Sequence, residues 1–140
     1  DYDFQSYLAD LRYYVSILPG HVIAIQSVAW QYNDEVPFQV MKTVGDYLRG
    51  YQENKILGKN LHAFQLEYRS PMFRRMGIIG FAGAGQVSEH PDGLSIRQYN
   101  LTSGFGFRVA LIPEKKLNLR FDIGFGENDM TIDMDIMEAF

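Results

Sequence analysis

His21, His62 and His90 are the only imidazoles in the chain. Their spacing fits no metal-ligand pattern, and His90, beside Glu89 and Asp92, reads as a solvated loop residue. Asp129, Asp133 and Asp135 lack the glycine turn and the bidentate glutamate of a calcium loop. No metal and no cofactor is expected. The stretch from Gly80 to Gly85 is glycine-rich, but it sits inside a strand pattern rather than opening a helix. It is therefore no phosphate or dinucleotide loop. There is no Gly-x-Ser-x-Gly elbow for a serine nucleophile. With no cysteine, thiol catalysis, disulfides, cysteine–zinc sites and iron–sulfur clusters are excluded. Asn100-Leu101-Thr102 is a formal glycosylation triplet, but it falls within a strand run. The chain is not expected to be an enzyme. What remains is a set of charges on alternate positions: Asp10, Arg12, Glu67, Arg69, Arg108, Arg120, Asp122, Asp133 and Asp135. Their chemistry is that of a charged face, and its meaning depends on the elements that carry it.

Those elements are strands. The chain has 140 residues, enough for one domain over 1–140, and 46% of them are hydrophobic. Ten Phe, nine Tyr and 13 Gly point to an all-β chain. Thirteen Lys and Arg stand against 17 Asp and Glu, so no basic excess favours nucleic acid. Period-two alternation runs from about Gln5 to Leu18, and Pro19-Gly20 turns the chain. The next run, about His21 to Tyr32, is apolar on both parities, and its buried face stays open. A long loop follows at about 33–60, with Pro37, Gly45, Gly50 and Gly58. Alternation resumes at His62–Tyr68, Met76–Ser88, Tyr99–Leu111, Leu119–Phe125 and Ile132–Phe140. Seven strands result, or eight if the long loop hides one. Most exceed the ~5–6 residues usual in globular sheets and match the ~9–11 of a membrane strand.

One parity is charged and the other apolar, with Glu138 as the exception at the chain end. Two architectures fit. A soluble barrel or sandwich would turn its aromatics inward, around a small apolar ligand in the lipocalin-like version. An antiparallel transmembrane β-barrel would turn Leu, Phe, Tyr and Ile to lipid and its charges to a polar lumen. Strand length favours the second. The first residue is Asp1, and no signal-peptide pattern follows. The chain is thus expected to have lost a leader or to be a piece of something longer.

Six short signatures occur in order: Leu48-Arg49-Gly50-Tyr51, Glu67-Tyr68-Arg69-Ser70-Pro71, Phe81-Ala82-Gly83-Ala84-Gly85, Gly104-Phe105-Gly106-Phe107-Arg108, Leu119-Arg120-Phe121-Asp122-Ile123-Gly124 and Glu138-Ala139-Phe140. Together they resemble the carboxy-terminal barrel half of the bacterial surface antigen superfamily, which includes the BamA and TamA assembly factors. The resemblance spans nearly the whole chain and is best from Val44 onward. It implies the second half of a sixteen-stranded barrel in the bacterial outer membrane. It also implies a role in inserting, assembling or translocating other outer-membrane proteins. Alternatives are a passive outer-membrane barrel, the barrel of a patatin-like lipase fusion whose lipase is not in this sequence, and the soluble ligand-binding barrel.

The resemblance further implies that the long loop folds into the lumen, with Arg49, Gly50 and Tyr51 as its anchor. A guanidinium there needs a carboxylate to offset its desolvation. Family members carry an aspartate in a Phe-x-Asp-x-Gly signature, where this chain has Gly83. Asp122 is the expected substitute partner, and Glu67 the second. The terminal strand, with Ile132, Met134, Ile136 and Phe140, is implied to form one side of a barrel seam and an assembly signal. Implied partners are outer-membrane lipid, nascent outer-membrane proteins, and a second chain or copy that completes the barrel. No periplasmic transport-associated repeats are in the sequence, so insertase activity is not expected of this chain alone.

Overall fold

A computed structural model describes residues 5–33, 37, 39, 41–52, 56–90, 95, 98–115 and 117–138. Seven long strands form one antiparallel sheet: β1 (Ser6–Leu18), β2 (His21–Tyr32), β5 (Asn60–Arg69), β6 (Met76–Ser88), β7 (Asn100–Ile112), β8 (Leu117–Phe125) and β9 (Met130–Glu138). Each pairs with the next in that order. Among the described residues of the long loop there is no eighth wall strand. Its described residues hold a two-stranded hairpin, β3 (Lys42–Thr43) with β4 (Leu57–Gly58), and a 3-10 turn at Val44–Asp46.

The chain is therefore an all-β antiparallel sheet, as the alternation predicts. The sheet is not a closed barrel: β1 and β9 are its edges. A small closed eight-stranded barrel, one outcome the strand count allows, does not form. Among the described residues the first and last of the seven strands do not pair, so both edges of the sheet are open.

The register aligns the parities from strand to strand. Arg12 lies opposite Gln26, Gln26 opposite Gln65, and Gln65 opposite Gly83. Gly106 lies opposite Asp122, and Asp122 opposite Asp133. A one-residue slip would move a whole strand to the wrong face. The charged parity thus becomes one continuous face. The run whose face the sequence leaves open, β2, turns Ala24, Val28 and Tyr32 to this side, where they are buried.

The opposite face is apolar and uncovered. Phe64 and Leu66 on β5, Ile78 on β6, Phe105 and Phe107 on β7, and Phe121 on β8 are all exposed. So are Ile132, Met134 and Ile136 on β9, at 69%, 68% and 60%. An aqueous protein seldom leaves so large an apolar surface bare. Phe107 and Phe121 are not core residues, which differs from what a soluble barrel requires.

Burial concentrates on the charged face because the loop packs there. Val44, Leu48 and Tyr51 form one buried cluster with Val28, Leu61 and Ala63. Their spacing of four and then three residues puts them on one side of the compact loop turn. Thr43 and Asp46 start that turn with a reciprocal cap. The Asp46 amide donates to Thr43 Oγ1 at 3.2 Å, and the Thr43 amide donates to Asp46 Oδ2 at 2.9 Å.

Candidate functional site: a loop anchored in a charged wall

The loop delivers Arg49 to the centre of the charged face. Its Nη2 donates to Glu67 Oε2 at 2.5 Å and its Nη1 to Asp122 Oδ2 at 2.6 Å. Glu67 stands on β5 and Asp122 on β8, and both are buried, so one guanidinium ties the loop to two separated strands. Arg120 bridges the same carboxylates: Nε donates to Asp122 Oδ2 at 2.7 Å and Nη2 to Glu67 Oε2 at 2.7 Å. Arg69 Nε donates to Glu67 Oε1 at 2.6 Å. The planar fork is what lets Arg49 and Arg120 each serve two carboxylates. Asp133 and Asp135 lie in register beside Asp122 and Arg120, adding negative charge near three clustered arginines.

Arg49 has a second restraint. Its guanidinium carbon sits 3.7 Å from the centre of the Phe81 ring. The ring beneath it is thus Phe81, while Tyr51 holds the next part of the loop. Tyr51 donates from its hydroxyl to the Leu101 carbonyl at 2.6 Å and accepts from the Glu127 amide at 3.3 Å. Burial pushes its phenol pKa up. Thr102 donates to the Arg49 carbonyl. The Gly50 amide donates to Thr131 Oγ1 at 2.9 Å.

Gly50 has φ +98°, a conformation side chains rarely adopt. A Cβ there would lie 2.6 Å from Thr102 Oγ1 and 2.8 Å from the Phe125 carbonyl carbon. Gly50→Ala is therefore expected to loosen the loop by about 1–3 kcal/mol, by strain and close contact. Urea unfolding of the variant and the parent checks this. A loss under about 0.5 kcal/mol would mean the loop backbone is not held here.

The glycine-rich strand has its explanation in the same packing. A Cβ on Gly83 would sit 3.0 Å from Leu48 Cδ2, and one on Gly85 would sit 2.8 Å from Leu48 Cδ1. On β8, Gly124 lies under the Gly50 amide. These glycines are the bed on which the loop rests. A side chain at Gly83 would crowd the Phe64 carbonyl and Leu48, and the carboxylates that meet Arg49 stand on β5 and β8 instead.

The structure thus brings Arg49, Glu67 and Asp122 together, with Gly50 and Tyr51 alongside. Ile132, Met134 and Ile136 stand apart, on the uncovered face of edge strand β9. Phe140 lies outside the described residues. Sequence reasoning missed Phe81 and Thr102 as loop contacts, and the glycine bed. The available signal was the recurrence of glycine on the charged parity of β6, β7 and β8. Among the described residues no group of His, Asp and Glu could hold a metal ion. His21 and His62 are instead bonded to Tyr68 and Tyr99, each at 2.7 Å.

A groove of about 500 Å³ lies beside the charge cluster. Arg12 and Tyr14 of β1 line it, and so do Asp133 and Asp135 of β9. The two edge strands of the open sheet therefore curl toward one polar cavity. Comparison with protein-family models and with curated proteins gives no match to this sequence.

Proposed function

We propose that this chain is part of the wall of an outer-membrane β-barrel, with its apolar face in lipid and its charged face lining the lumen. One observation carries the reading: the apolar face is bare, while the loop and the ion cluster occupy the opposite face. In water the reverse arrangement would be stable, with aromatics inside and charges out. In lipid the observed one is.

Further features agree. Leu101 and Leu111 bound the apolar face on β7, about 34 Å apart along the strand at ~3.4 Å per residue. At a tilt of ~40° this is roughly 26 Å of height, the thickness of an apolar membrane band. His21–Tyr68 marks one rim and His62–Tyr99 the other, at positions where aromatic girdles occur. An open edge in lipid leaves costly unpaired amides and carbonyls. The barrel reading therefore requires further strands against β1 and β9, from a longer chain or a second copy. The loop anchored by Arg49 closes the lumen side of this wall.

The resemblance supplies the role: insertion, assembly or translocation of other outer-membrane proteins. The geometry compatible with it is edge strand β9, which can pair with a client strand by β-augmentation. Single cysteines are clean probes in a chain that has none. Ile132→Cys on β9 and Leu11→Cys on β1 should be introduced separately and crosslinked in cells making outer-membrane proteins. Adducts of the β9 cysteine with nascent barrel proteins are expected. If both cysteines link only to strands of the same barrel or of a second copy, the barrel is passive and the assembly role fails. If the chain is found soluble without detergent, the membrane reading fails as well.

A further inference from the structure

We propose that the short-turn end of the sheet is a binding surface for the headgroups of anionic phospholipids, a proposal that rests on the membrane reading above. The strand connections divide into two rims. The β1–β2, β5–β6 and β7–β8 connections are short and share one end, and the long β2–β5 and β6–β7 loops share the other with the β8–β9 turn. The short turns are contiguous. A Cβ on Gly20, in the first of them, would lie 2.7 Å from Pro71 in the second. The Arg75 carbonyl, in the second, accepts from the Ala110 amide of β7 at 2.8 Å, just before the third.

This end is basic. Arg74 and Arg75 form the tip of a two-residue hairpin, closed by paired Phe73 and Met76 backbone bonds of 2.8 and 3.0 Å. Lys115 adds a cation on the neighbouring turn, and Lys116 follows it in sequence. Among the described residues Arg74, Arg75 and Lys115 make no salt bridge, and Glu114 is the one acidic residue in these turns. The opposite rim is mixed, with Glu89, Glu127 and Asp129 alongside Lys42 and Lys59.

The hairpin tip is an unusual place for arginine. Arg74 has φ +57°, and tight hairpins favour Gly, Asn or Asp at such a position. An arginine there serves no buried contact, yet it projects a cation from the rim. Phe73, beside it, is 79% exposed, and the Arg74 guanidinium carbon lies 5.8 Å from its ring centre. An exposed aromatic under unpaired cations, at the limit of an apolar band, has the chemistry of the headgroup level. The ring enters the acyl boundary and the guanidinium groups meet phosphate.

The test uses the chain refolded with vesicles, either phosphatidylcholine alone or with one third phosphatidylglycerol, separated by flotation. Cations near an anionic surface each strengthen binding appreciably, so phosphatidylglycerol should raise partitioning of the parent more than about tenfold at low salt. R74Q/R75Q/K115Q should lose that preference. R74K/R75K and the opposite-rim variant K42Q/K59Q should keep it. Inorganic phosphate at matched ionic strength should not compete, and competition would make free phosphate the ligand and overturn the proposal. Equal partitioning of the parent into both vesicles, or loss of preference in K42Q/K59Q as large as in the triple variant, would also overturn it. Either result leaves the membrane reading standing. Failure to enter either vesicle when the strands that complete the barrel are supplied, by the longer chain or a second copy, would overturn both.

Discussion

Arg49→Ala is expected to destabilise the folded chain by about 3–5 kcal/mol, the range for breaking a buried ion pair by removing one partner. Among the described residues Arg49 supplies the ion pairs between loop and wall, and it reaches Glu67 and Asp122 at once. The loss belongs at the lower end of that range, since Arg120 still serves both carboxylates. The stacking on Phe81 disappears as well. Arg49→Lys should fall between, because one ammonium cannot reproduce a fork that spans two strands. The measurement is urea unfolding in detergent, paired with limited chymotrypsin digestion. Tyr47 and Tyr51 flank Arg49 in the loop, and cleavage beside them should accelerate in the alanine variant. A change under about 0.5 kcal/mol with unaltered cleavage would make Arg49 an ordinary solvated arginine.

Phe107→Arg and Phe121→Arg should each reduce membrane insertion by about 2–4 kcal/mol, the cost of a cation at the midplane of a lipid-facing strand. The two rings are register partners near the middle of the apolar face. Leu101→Arg, at the rim of the same strand, should cost only about 0–1 kcal/mol. This gradient with depth is the diagnostic. In water these side chains are already exposed, at 46%, 40% and 60%, so arginine at any of them would change stability by no more than about 0.5 kcal/mol. Refolding yield into vesicles, followed by protection from protease, distinguishes the outcomes. A flat response across the three positions would remove the lipid-facing assignment.

The strands were legible because their signal is local. Alternation needs only neighbours in sequence, so β1, β5, β7, β8 and β9 stand out directly. The β2 run was not legible in the same way, since Val22, Ile23, Ala24 and Ile25 are apolar on both parities. Its face follows only from pairing with β1 and β5. The loop interior was opaque for a related reason. Val44, Leu48 and Tyr51 make a short apolar pattern that has no meaning without the wall residues Val28, Leu61 and Ala63.

The candidate site divides along the same line. That Glu67 and Asp122 belong to a charged parity can be read from each strand alone. That they converge on one guanidinium cannot, because 55 residues and three strand turns separate them, and convergence depends on register and sheet curl. Glycine is a poor local signal too. Gly83 and Gly85 read as weak strand residues, and only the loop lying over them gives the missing side chains a purpose.

By itself, then, the sequence determined the all-β class, the alternation of charged and apolar faces, and the place of the long interruption. These rest on backbone periodicity and turn chemistry, which act over a few residues. Only the tertiary structure decided that the sheet stays open at β1 and β9, and that the loop lies on the charged face. Those outcomes depend on strand pairing and on packing between residues distant in the chain. Alternation is symmetric between the two sides of a strand, and only what packs on each side breaks that symmetry.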